Sequence, residues 1–125
     1  MTGTQTPLAR VEGLGAAHAG TGHFWRQRVS AVALVPLSIW FVYAALAVVG
    51  ADREAAVAFL HQPVNAIAMA LFVIAVLHHS VLGLQVVVED YVHTEGWKIA
   101  ILLFNQLFAW ILGAVSLFAL VKIAL

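Results

Sequence analysis

Three long apolar runs dominate the chain, at about 29–49, 64–88 and 99–124. Each reaches the roughly 20 residues a helix needs to cross a bilayer core of about 30 Å. None alternates apolar and polar positions as a half-buried strand does. Backbone in lipid has no water to bond, so such runs must satisfy their own N–H and C=O groups as helices. The pattern predicts an all-α membrane protein with three transmembrane helices. Polar segments punctuate it. In "GADREAAVAFLHQP", Asp52, Arg53 and Glu54 mark an aqueous face, and Pro63 suits the first turn of the second span. The short apolar "AAVAFL" suits a turn of helix lying on the interface. In "HTEGW", Thr94 is placed to cap the third span and Gly96 to break the second. Trp25 and Trp97 precede the first and third spans, where interfacial anchors belong. Pro36 falls inside the first span and removes one helical hydrogen bond there.

The residues ahead of the first run are polar or small and lack the apolar stretch of a secretory signal peptide. The expected organisation is an N-terminal cytoplasmic tail, 1–28, and a three-helix transmembrane domain, 29–125. Orientation follows from the basic residues. Arg10, Arg26, Arg28 and Lys98 fall on one side, Arg53 and Lys122 on the other. The positive-inside rule then places the N-terminus and the second loop in the cytoplasm.

Composition agrees with this picture. The 125 residues are 63% hydrophobic and 10% charged, against about 25% charged in soluble domains. Six basic residues balance six acidic ones. No basic stripe with interleaved aromatics is present, so no nucleic-acid partner is expected. There is no cysteine, which excludes disulfides, thiolate chemistry and Fe–S ligation by this chain. A redox metal group bound here has to be held by histidine.

The candidate chemistry lies in "VLHHSVLGLQVVVEDYVHTEGWK". An ionisable residue inside a span marks a functional site by default. His78 and His79 point about 100° apart on a helix, so one pocket cannot readily use both. Gly83, four residues after His79, leaves room beside the imidazole for a flat group or a second backbone. Asp90 is eleven residues after His79, nearly on the same face and about 16 Å along the axis. His79, Gly83 and Asp90 thus form a stripe from mid-membrane to the inner surface, flanked by Glu89 and Tyr91. That layout suits a buried b-type haem, whose iron accepts neutral imidazole and needs no Cys-x-x-Cys-His. The spacing equally allows a histidine that only bonds across a helix interface, for about 1 kcal/mol. His61 and His93 lie near the surfaces, and His18 and His23 precede the first apolar run. A second axial histidine is therefore expected from another protein. Arg26 and Arg28 suit haem propionates or lipid phosphates alike.

These residues carry a resemblance over nearly the whole chain from about His23. "RVSAVALVPLSIW" followed by "HHSVLGLQVVVEDYVH" resembles the small, D-type hydrophobic membrane-anchor subunits of succinate dehydrogenase, respiratory complex II. One block is Arg-x-Ser/Thr-Ala, here Arg28-Val29-Ser30-Ala31; the other is His-x(3)-Gly-x(6)-Asp-Tyr, here His79, Gly83, Asp90 and Tyr91. The resemblance implies a subunit of an enzyme that passes electrons from succinate to quinone in the tricarboxylic acid cycle and respiratory chain. No catalysis is implied for this chain alone. It implies His79 as an axial ligand of haem b iron, shared with a cytochrome b556-type C anchor subunit that completes the helical bundle. It implies Arg28 near the haem propionates. It implies Tyr91 bonding a carbonyl of ubiquinone or another quinone, with Asp90 ordering that pocket and its proton supply. His78 has no motif position and is assigned to packing or a local hydrogen bond. The implied partners are the C subunit, an Fe–S subunit, a flavoprotein subunit and membrane lipid. The expected location is a bacterial inner (cytoplasmic) membrane, since the N-terminal residues do not read as the Arg- and Ser-rich transit segment of a mitochondrial precursor.

Two other readings compete. One is a haem-free structural anchor of a fumarate reductase-like complex, with the histidines only packing. The other is a small transporter using His78, His79 and the acidic cluster as a proton or metal relay.

Overall fold

The computed structural model describes residues 6–12 and 20–125. Much of the expected N-terminal tail, His18 included, lies outside the described residues, as does the Arg10 side chain. The described residues are helical throughout, apart from short connections, with a short α1 at Pro7–Glu12. The spans are α2 (Gly20–Val48), α4 (Pro63–Tyr91) and α5 (Glu95–Ala124), and α3 (Arg53–His61) lies between α2 and α4. All three long helices have the length and composition to cross a membrane. The first begins at Gly20, well ahead of the apolar run expected from about 29. Its opening turns carry His23, Arg26 and Arg28, so His23 lies inside α2 and does not precede it.

Local chemistry explains the element ends. Asp52 caps α3 by accepting a hydrogen bond from the Ala55 N–H at 2.8 Å, satisfying one of the helix's orphan donors. Gln62 then closes α3 and opens α4, with Pro63 in the first turn of α4. Pro36 sits inside α2, which continues through it to Val48. Gly50 follows α2 with φ +76°, a left-handed conformation that only glycine adopts without penalty. The expectation for Gly96 is corrected: α4 already ends at Tyr91, and Gly96 lies in the first turn of α5. Thr94 does occupy the N-cap of α5, but its side chain makes no capping bond.

The central helix is α4. It packs on α2 along one side and on α5 along another, while α2 and α5 scarcely touch. The α2–α4 seam includes the stacked rings of Phe41 and Phe72, 4.4 Å apart. At the α4–α5 seam Gly113 admits Leu77: a Cβ added there would lie 3.3 Å from Leu77 Cδ1. Asn105 Nδ2 of α5 donates to the Val81 carbonyl of α4 at 3.2 Å. At the far end, His61 Nδ1 donates to the Ile123 carbonyl at 3.2 Å and ties α3 to α5. Alternating helix direction gathers Arg26, Arg28 and Lys98 at one end and Arg53 and Lys122 at the other. Only 6% of the most apolar window of each span is buried within the chain. In water that exposure would be untenable; it is the surface of a protein covered by lipid and by other membrane helices.

Candidate functional site

The two adjacent histidines line different clefts along α4. His79 faces α2. It lines a cleft of about 330 Å³ with Phe24, Gln27, Arg28 and Ala31. His78 lines a larger groove of about 830 Å³ along α4 and α5, which His23 and Arg26 of α2 also line, together with Gln85, Glu89 and Trp110. The helical angle of about 100° per residue is what separates them.

The His79 cleft is built by the opening turns of α2. Ser30, one turn above the entrance, is buried and lies with its Oγ 3.0 Å from His79 Nδ1. Its hydroxyl also donates to the Gln27 carbonyl at 2.9 Å. The Arg28 guanidinium stands 5.0 Å over the Phe24 ring, a cation–π contact that orients it while leaving it exposed. Gly83 faces the same seam: a Cβ there would meet only the Gln27 amide, at 4.0 Å. The room expected beside the imidazole is thus shared with a neighbouring helix's side chain. His79, Gly83 and Arg28, separated in sequence, meet at this one crossing.

Asp90 and Tyr91 do not join it. Both are exposed at the end of α4, and Tyr91 is 77% exposed. Around them the backbone is tied down: His93 Nδ1 donates to the Tyr91 carbonyl at 3.1 Å, and Lys98 Nζ donates to the Glu89 carbonyl at 3.3 Å. Glu89 accepts from Gln85 at 2.7 Å and turns toward the α4–α5 groove. Acid and phenol are thereby offered side by side at the surface where Arg26, Arg28 and Lys98 also collect.

A haem fits the His79 cleft in donor chemistry. Its histidine engages a hydrogen bond through Nδ1 and keeps Nε2 as the remaining ring nitrogen, and a guanidinium stands at the rim for carboxylates. In size, about 330 Å³, the cleft is at the lower end of ligand pockets. No group of three or more His, Asp or Glu residues able to hold a metal ion occurs among the described residues.

Sequence reasoning missed Ser30 as a partner of His79, although it stood inside the quoted Arg-x-Ser/Thr-Ala block. It also missed Gln27, Gln85, Asn105 and Gln106. The available signal was simple: amides in or beside apolar spans, where each uncompensated polar group is costly.

Comparison with known proteins completes the picture. Residues 2–114 match the family model described as succinate dehydrogenase/fumarate reductase transmembrane subunit. The chain is 36% identical to the succinate dehydrogenase hydrophobic membrane anchor subunit of Paracoccus denitrificans, covering 96% of this chain and 92% of that one. It is 32% identical to the subunit of the same name from Rickettsia bellii, covering 82% of each. The Rickettsia conorii subunit is 29% identical over 81% of each chain. No solved structure gives a significant match. Three apolar spans and these relatives agree, and the chain belongs to the family of succinate dehydrogenase/fumarate reductase transmembrane subunits, as a multi-pass membrane-anchor subunit that associates with the other subunits of its complex.

Proposed function

We propose that this anchor subunit supplies one axial histidine to a b-type haem and one wall of a quinone site at the cytoplasmic edge of the membrane. The observation that carries the reading is the meeting of His79, Ser30 and Arg28 at the α2–α4 crossing. Haem b, when bound, supplies one-electron redox chemistry within the membrane. His79 would hold the iron, and Arg28 would balance propionate charge. Among the described residues His79 is the one histidine lining this cleft, so a further iron ligand would come from a partner, a cytochrome b556-type C subunit in this reading.

At the end of α4 the chemistry is proton-coupled. A quinone carbonyl oxygen gains negative charge as electrons arrive. The Tyr91 hydroxyl donates a hydrogen bond to it and stabilises that charge. Reduction to quinol consumes two electrons and two protons, and Asp90, open to water, is the local carboxylate for handing protons on. The electrons come from succinate through the flavoprotein and Fe–S subunits, docked on the face that carries Arg26, Arg28 and Lys98. The positive-inside rule makes that face cytoplasmic, in a bacterial inner membrane.

The test is a reduced-minus-oxidised visible spectrum of the purified complex bearing His79→Ala or His78→Ala. The expected result is loss of the b-type α band in the first and its retention in the second. An unchanged band in His79→Ala complex would remove the ligand role and leave a haem-free anchor or a His78 ligand.

A further inference from the structure

Ser30 is the one buried polar side chain among the described residues, 7% exposed. Its hydroxyl makes two contacts, 2.9 Å to the Gln27 carbonyl oxygen and 3.0 Å to Nδ1 of His79. A serine hydroxyl carries one proton and two acceptor lone pairs. A carbonyl can only accept, so the contact to Gln27 uses the proton. Toward His79 the Ser30 oxygen then offers a lone pair, and Nδ1 must carry the hydrogen between them. The opposite assignment, Ser30 donating to a bare Nδ1, would leave two oxygens 2.9 Å apart with no proton between them. Of the two neutral tautomers, only Nδ1–H satisfies both contacts. In that tautomer the imidazole lone pair is on Nε2.

Resting on the ligation reading above, we propose that Ser30 is a positioning residue for haem binding: it holds His79 in the Nδ1–H tautomer and fixes its ring so that Nε2 is the ligating atom. Metal-bound histidines generally donate their other N–H to an acceptor, which sets tautomer and orientation and raises the basicity of the ligating nitrogen. The acceptor here is unusual in being a hydroxyl, itself anchored by a bond to its own helix. The arrangement explains why a hydroxyl is wanted at this crossing. Alanine could fill the space, but His79 would have no acceptor for its N–H. The broad torsion of an imidazole about its second side-chain angle would then let the ring turn away. The device also couples helix packing to ligand geometry, because acceptor and ligand sit on different spans.

The experiment uses the purified complex with Ser30→Ala, Ser30→Thr and His79→Ala. Haem retention is read as the haem-to-flavin ratio during challenge with a haem-scavenging apoprotein. Ligand geometry is read from the ferric low-spin EPR signal, and donor strength from the haem reduction potential. Ser30→Ala is expected to keep a flavin-containing assembly but to lose haem roughly 10- to 100-fold more readily. Its EPR signal should shift and broaden, and its potential should rise as the weaker imidazole donor favours ferric iron less. Ser30→Thr keeps the hydroxyl and should restore all three. Wild-type retention, EPR signal and potential in Ser30→Ala would overturn the proposal. So would a Thr variant no better than Ala, which would mark Ser30 as packing alone. Haem retained by His79→Ala would instead remove the ligation reading itself, so the two failures are told apart.

Discussion

Replacing Tyr91 with phenylalanine isolates the quinone role proposed for it from every structural one. The ring is 77% exposed within this chain, and its hydroxyl makes no hydrogen bond to another described residue. Deleting one oxygen there removes neither packing nor an internal bond, so the stability cost within the chain is close to zero. The catalytic cost is different. A hydrogen bond to a group that develops charge contributes roughly 1.5–3 kcal/mol. At about 1.4 kcal/mol per factor of ten, that is roughly a 10- to 150-fold slower step. Two assays on one preparation read the two quantities. Succinate-dependent quinone reduction should fall by that factor in Tyr91→Phe. Succinate oxidation with a soluble artificial acceptor, which bypasses the membrane site, should stay at the wild-type rate. Quinone reduction within twofold of wild type would refute the hydrogen-bond argument. Equal loss in both assays would refute the claim that the hydroxyl carries no structural load.

Other perturbations test the fold around the site. Gly50→Val forces a branched side chain into φ +76° and should destabilise the chain by roughly 1–2 kcal/mol, seen as a lower thermal midpoint of the detergent-solubilised complex. Asp52→Ala removes the α3 cap and should lose about 0.5–2 kcal/mol by the same measurement. Asn105→Ala deletes the bond to the Val81 carbonyl, yet interhelical bonds in membranes average only about 0.6 kcal/mol; SDS-induced unfolding should register a loss of that small size. Gly83→Ala meets only ordinary contact with Gln27 inside the chain, so it should assemble normally by size exclusion.

How much of this was legible beforehand differs between elements. The spans were plain, because a bilayer demands about 20 apolar residues and leaves the backbone no alternative to a helix. Pro63 and the short helix after Asp52 were legible for equally local reasons. The start of α2 was not. The sequence Gly-Thr-Gly-His-Phe-Trp-Arg-Gln-Arg is too polar to count as span, yet it continues the helix to Gly20 and supplies Phe24, Gln27 and Arg28 to the cleft. Gly96 was misleading because glycine marks a helix end only in context, and the first turn of α5 tolerates it.

The sequence alone determined that the chain lives in a membrane, that it holds no thiol chemistry, and that His79 and Tyr91 lie on one helix at a set separation. Periodicity and composition are properties of a single segment, so they can be read from one. The tertiary structure decided which residues meet. It showed that α4 is central, that His78 and His79 serve different seams, and that Ser30 is the group touching Nδ1 of His79. These facts depend on how one helix is rotated and shifted against the next. Packing of mostly apolar faces sets that rotation, and no local pattern encodes it.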